Sequence, residues 1–176
     1  RRRDEIMRLF DDVILNGDTP NNLSATGLVT HAYLYTGEQK YKRWVLDYTE
    51  AWMERTRANG GILPDNVGPT GEIGSQREGQ WWGGLYGWNS RWSADQSFIA
   101  MTIAAECALM LTGDDGYLDL IRSQIRLLVD MGVTDDSGQL RVPTRVTERG
   151  WEEFEPMKIL EMAHVYHASQ SSDDYD

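Results

Sequence analysis

Leu34-Tyr35-Thr36-Gly37-Glu38-Gln39-Lys40-Tyr41 and Met110-Leu111-Thr112-Gly113-Asp114-Asp115-Gly116-Tyr117 are two copies of one pattern. Each is the end of an apolar helix, a Thr-Gly turn, an acidic cap and the start of an amphipathic helix that opens with Tyr. Glycine just past a helix end adopts the left-handed backbone that closes the last turn, and an acidic residue suits the positive end of the next helix. A weaker third copy runs from His167-Ala168-Ser169 to Asp173-Asp174-Tyr175. Repeated helix pairs are the signature of solenoids or closed rings of hairpins. The pattern predicts an all-α fold of antiparallel helical hairpins.

Outward from the repeat, the 3.6-residue period continues. Arg3 to Leu15 puts Ile6, Leu9, Phe10, Val13 and Ile14 on one stripe, and Asn16-Gly17-Asp18-Thr19-Pro20 stops it. Ser24 can cap a helix to about Tyr35, and a third runs from about Glu38 to Arg57. Asp95 to Leu111 is apolar nearly all round, as expected of an enclosed helix, and Asp114 to Met131 is its amphipathic partner. Glu153 to about His167 reads as the last helix. The Thr-Gly links are very short, whereas the connections 60–93 and 132–151 are long, the second with a short hairpin around Gly138. Successive antiparallel helices then gather the long connections at one end of the array.

Composition narrows the function. At 176 residues, 40% hydrophobic and 26% charged, the chain reads as one globular domain over 1–176. A net charge of −11 argues against nucleic acid, whose phosphates need clustered Lys and Arg. The longest apolar stretch, around Phe98 to Leu111, is interrupted by Thr102 and Glu106, so no membrane span is expected. One cysteine, Cys107, and three histidines, His31, His164 and His167, leave no internal disulfide, no zinc motif and no cofactor motif. Cys107 reads as a small core residue, and His31 and His164 as core histidines. The opening Arg1-Arg2-Arg3 and the closing Ser171 to Asp176 suggest an excerpt of a longer protein. Neither terminus carries a targeting segment from which a compartment can be read, and nothing in the composition fixes an oligomeric state.

The chemistry concentrates in Gly79-Gln80-Trp81-Trp82-Gly83-Gly84-Leu85-Tyr86-Gly87-Trp88-Asn89-Ser90-Arg91-Trp92, where five of fourteen residues are Trp or Tyr. Such rings either pack onto the helices or offer flat apolar faces to the C–H face of a sugar, with Tyr86, Asn89 and Arg91 reaching its polar groups. The whole segment reads as a binding surface. Upstream, Asp65 and Asn66 follow Pro64 and either make a turn or join the site; Glu72 and Glu78 are further carboxylates on this connection. Asp95 suits a helix cap. The second connection offers Arg141, Arg145, Arg149 and Trp151, followed by Glu152, Glu153 and Glu155, either as a solvated hairpin and helix start or as a grip on an anionic sugar.

The hairpins with Thr-Gly turns, Gly60-Gly61-Ile62-Leu63-Pro64-Asp65-Asn66 and Trp81-Trp82-Gly83-Gly84-Leu85-Tyr86-Gly87-Trp88 resemble the α/α-toroid, six-hairpin-like carbohydrate-active enzymes. That group includes unsaturated glucuronyl hydrolases and lyases of uronic-acid polymers. The resemblance implies part of an α/α toroid, a carbohydrate substrate, a cleft formed by the gathered loops, and a periplasmic or secreted location. It implies a lyase acting by β-elimination, with Tyr86, Asn89, Arg91, Asn66 and Asp65 as catalytic residues. Trp81, Trp82, Trp88, Trp92, Glu72, Arg145 and Trp151 would bind substrate. No loop histidine is present to serve as base. A six-hairpin hydrolase would instead use two of Asp65, Glu72, Glu78, Asp95 and Glu153. A helical repeat that binds glycan or protein without turnover is the third reading.

Overall fold

The computed structural model describes residues 2–11, 17–158 and 160–174. Helices α1 (Arg2–Phe10), α2 (Ala25–Thr36), α3 (Gln39–Ala58), α4 (Arg91–Thr112), α5 (Asp119–Met131) and α6 (Leu160–Ser169) carry the architecture. Strands β1 (Val133–Thr134), β2 (Leu140–Thr147) and β3 (Gly150–Pro156) form one antiparallel sheet in the order β1-β2-β3. The 11–15 part of the first expected helix falls largely outside the described residues, as does Tyr175 of the third repeat copy.

The two main repeat copies agree atom for atom. Thr36 and Thr112 each donate their hydroxyl 2.7 Å to the carbonyl four residues back, Ala32 and Ala108. Each hydroxyl then accepts the amide of the next acidic residue, Glu38 at 3.2 Å and Asp114 at 3.1 Å. Gly37 (φ 71°) and Gly113 (φ 75°) take the left-handed position and donate to Tyr33 and Leu109. Because each link is so short, α2 folds back on α3, and α4 on the 3-10 turn 115–118 and α5.

α4 is the central element, touching α2, α3, α5 and α6. Ala100, Ala104, Ala105 and Ala108 are fully buried, and their small size lets the neighbouring helices approach. Around them pack Trp52 from α3, Phe98 and Met101 from α4, and Ile121, Ile125 and Leu128 from α5. By length and composition α4 could cross a membrane, at mean hydropathy 1.3, but 56% of that window is buried within the fold, as in a core helix. His31 and His164, expected in the core, are both exposed; His164 Nδ1 lies 3.0 Å from Glu106.

The sheet overturns the all-α expectation: the fold is mixed, six helices with a three-stranded antiparallel sheet among the described residues. The acidic run 152–155, expected to open a helix, lies in β3 instead. Arg145 pairs across the strands with Glu152, Val146 with Trp151 and Pro143 with Phe154. The glutamates find cations at side-chain distance, Glu153 to Arg145 at 2.7 Å and Glu152 to Arg149 at 2.9 Å. These cross-hairpin pairs, with Val142 and Val146 buried below, favour the strand over a helix start. Thr144 donates its hydroxyl to the Glu153 carbonyl at 2.9 Å, where Glu153 takes φ 57° and the regular ladder lapses. The two long connections meet: the Val146 amide donates 2.8 Å to the Trp88 carbonyl.

Candidate functional site at the loop end of helix α4

The connection 59–90 is built around one carboxylate. Asp65 is fully buried; its Oδ1 accepts the Gly84 amide at 2.9 Å and its Oδ2 the Trp88 amide at 2.7 Å. Its own amide donates to the Trp81 carbonyl at 2.9 Å. Gly84 and Gly87 let the turn wrap this closely, since a Cβ at Gly84 would meet the Asp65 carbonyl oxygen at 1.9 Å and one at Gly87 the Asp65 Cβ at 2.0 Å. Burial pushes the Asp65 carboxyl up to about 6, against the lowering pull of the backbone donors and the Arg77 cation. Asn66 donates to the Gln80 carbonyl at 3.0 Å, and Asn89 to the carbonyls of Gly84 and Leu85 at 2.7 and 2.9 Å. Asp65, Asn66 and the Asn89 amide nitrogen are thus committed to the loop's own backbone.

The tryptophans divide into two groups. Trp88 is 1% exposed, donates its indole to the Leu63 carbonyl at 2.8 Å and meets Phe98 and Trp151 edge-on at 6.0 and 5.1 Å. Trp81 and Trp82 are half-buried, edge to face with their planes at 69° and centroids 5.5 Å apart, and Trp81 continues to Trp151 at 6.3 Å. These four rings join the loop to the hairpin. Trp92, in contrast, is 60% exposed on the first turn of α4, with the Tyr86 ring tilted beside it at 5.7 Å.

Charged side chains gather at the start of the same helix. Ser90 caps α4 by accepting the Ser93 amide, so Asp95, read as a cap, lies one turn into the helix instead. Arg91 reaches Glu155 at 3.2 Å and Asp95 at 3.8 Å, and Lys158 also binds Asp95. Between α4, α5 and the hairpin lies a crevice of about 40 Å³ with Phe98, Pro143 and Met157 in its wall and Arg91, Asp95 and Lys158 at its charged side. Lys158 escapes a sequence reading because it follows a strand that resembles a helix start. Gln124 escapes too, although a glutamine between Ile121 and Ile125 on an apolar face is a usable signal; it accepts the Leu63 amide at 2.9 Å and donates to the Gly61 carbonyl at 2.8 Å.

Two substrate-binding candidates lie elsewhere. Glu72 lines a shallow groove of about 470 Å³ with Glu54, Arg55 and Thr70. Arg145 is exposed on β2 and paired with Glu153. Among the described residues no cluster of three or more His, Cys, Asp or Glu could hold a metal ion.

Fold and site together define a domain of helical hairpins that carries an aromatic loop and a β-hairpin at one end of its central helix. A family model described as a domain of unknown function, DUF8034, matches residues 2–142, and the chain belongs to that family. The match takes in α1 to α5 and the aromatic loop and stops at the start of β2. No curated protein and no solved structure matches the chain.

Proposed function

We propose that this domain is carbohydrate-active and takes an acidic glycan at the loop end of α4. The observation that carries the reading is exposed Trp92, on the same helical turn as Arg91, with the half-buried Tyr86 ring tilted beside it. An indole that exposed offers a flat apolar face of the size of a sugar ring, and a guanidinium beside it matches a uronate carboxylate. Trp92 stacks on the sugar, Arg91 exchanges Glu155 for the substrate carboxylate, and Lys158 adds positive charge at the same edge.

The chemistry that suits these groups is β-elimination. Arg91 neutralises the uronate carboxylate, which acidifies the C5–H. Tyr86 takes that proton as general base; the C4–O bond breaks, and Tyr86 returns the proton to the leaving oxygen. The products are a C4–C5 unsaturated sugar and a new chain end, with no net redox change. Asp65 has the raised range a hydrolase's general acid needs, but it is fully buried and both its oxygens are held by amides.

The test incubates the chain with uronic-acid polymers and follows both ultraviolet absorbance of unsaturated product and reducing ends. Both signals together, abolished by Tyr86→Phe, support the lyase reading. Reducing ends alone overturn it in favour of hydrolysis. Saturable binding without turnover overturns the enzyme but keeps the glycan. Neither binding nor turnover overturns the whole proposal.

A further inference from the structure

Leu34 and Met110 hold the same place in the two copies of the repeat, and both are bare, at 60% and 57% exposure. Each stands on the helix that leads into a Thr-Gly turn, α2 in one copy and α4 in the other. These helices meet at Gly27, where a Cβ would lie 3.4 Å from Ile103 Cγ2, and α6 joins α4 through His164 and Glu106 at 3.0 Å. The alanines of α4 turn to the core, while Ile99 and Met110, about three turns apart and so on one stripe, turn outward. Round α2, Leu34, His31, Tyr35 and Leu28 follow one another, all exposed, over about a third of the circumference. Tyr35 is 93% exposed and Leu28 77%, far beyond what an enclosed helix shows.

This open side is also nearly uncharged. α2 has no Asp, Glu, Lys or Arg, and beyond Asp95 α4 has only Glu106, which His164 of the same chain meets. The acidic excess behind the net charge of −11 therefore lies on the other surfaces.

We propose that this face joins two copies of the chain, with α2, α4 and α6 of one protomer packed on the same helices of its partner about a two-fold axis. Two chains of −11 repel each other through their acidic surfaces, so a contact between copies needs a face without charge of its own. Under a two-fold each apolar side chain meets one from the same set, which makes the patch its own complement. A bared layer of helices is filled by the ridges of another such layer, and the partner presents one. Leu28, Leu34, Tyr35, Ile99, Met110 and Leu160 together expose about 700 Å², close to the roughly 800 Å² per partner that a stable complex covers. Aromatic residues and Met with few charges are also the composition of an interface centre. The dimer does not rest on the glycan reading. Trp92 precedes Ile99 by about two turns, about 10 Å toward the loop end of α4 and outside the patch.

The experiment is sedimentation equilibrium of the whole chain over a wide range of concentration. The mass should approach that of two chains, and added salt should leave the association unchanged or strengthen it, because salt screens the repulsion between the two. Dilution should shift amide resonances of α2, α4 and α6 together. Leu34→Glu and Met110→Glu should each weaken the association about tenfold or more, since each dimer then buries two unpaired carboxylates. Ile6→Glu on α1 and Phe154→Glu on β3, exposed apolar positions outside the patch, should leave it unchanged. The dilution shifts read the interface in the unsubstituted chain, so they decide the matter even where a variant does not fold. A chain that stays monomeric, or that forms larger aggregates with no two-chain step, overturns the proposal. So does a dimer whose dilution shifts fall outside the three helices, or one that survives both glutamates or is weakened equally by Ile6→Glu and Phe154→Glu.

Discussion

The Trp88 indole donates its N–H to the Leu63 carbonyl across 2.8 Å, so the side chain that closes the aromatic loop is bonded to the residue that begins it. Trp88 also gives its amide to Asp65 and its carbonyl to Val146. Four kinds of contact, counting its edge-on rings, converge on one buried residue. Trp88→Ala should cost about 3–5 kcal/mol through lost burial and the cavity left behind. Trp88→Phe should cost about 1–3 kcal/mol, because the Leu63 carbonyl loses its donor. Denaturant unfolding checks both, and an alanine variant of unchanged midpoint would contradict this account.

Gln124 performs the matching task from α5, holding the Leu63 amide and the Gly61 carbonyl while fully buried. Gln124→Leu keeps similar bulk but leaves both backbone groups unsatisfied, at about 2–4 kcal/mol. Limited proteolysis should find the first new cleavage within residues 60–90. Cleavage that stays where the wild-type chain is cut would argue against the anchoring role.

These anchors show where sequence was informative. The Thr-Gly turns were readable because a single short motif contains every atom that makes them: hydroxyl, following amide and left-handed glycine. Helix α3 was readable from period alone. β3 was not, because Glu152, Glu153 and Glu155 look like a helix start until Arg145, Arg149 and Arg91 are placed opposite them. The aromatic loop was recognisable as special, but its division into buried Trp88 and exposed Trp92 depends on Leu63 and Asp65, which hold Trp88 from far back along the chain. Lys158 and Arg77 gave no local signal at all.

Stability should depend on pH in two opposed ways. The Asp65 carboxyl sits at about 6 in the folded chain against 3.8 for the ordinary group, so the folded state holds that proton more tightly. The stabilisation is complete below about 4 and is lost as pH rises through 6, a change of about 3 kcal/mol. Asp174 behaves oppositely: hydrogen bonds from Arg122 hold its carboxyl below the usual range, so its contribution is present above that range and lost as pH falls through it. Unfolding free energies for the wild type and Asp65→Asn, measured from pH 4 to 7, should diverge, with the wild type losing ground as pH rises. Parallel curves would contradict the assignment.

Arg91→Ala should barely affect the fold, since its bonds to Glu155 and Asp95 are partly exposed and worth below about 1 kcal/mol. Its effect should be selective: weaker, less salt-sensitive binding of an acidic oligosaccharide, with a neutral one unchanged. Calorimetric titration of the two sugars at two salt concentrations checks this. Equal losses for both would remove the role given to the guanidinium.

The central claim, that the Trp92–Tyr86 pair is a seat for an acidic sugar, is tested most directly by adding a uronate oligosaccharide to the labelled protein and following the tryptophan indole resonances. The Trp92 N–H should shift in a saturable way while those of Trp52 and Trp88, both buried, stay in place, and Trp92→Ala should lose at least tenfold in affinity with an unfolding midpoint within about 0.5 kcal/mol of wild type. An indole at Trp92 that does not move under saturating sugar, or affinity that survives its removal, would contradict the account.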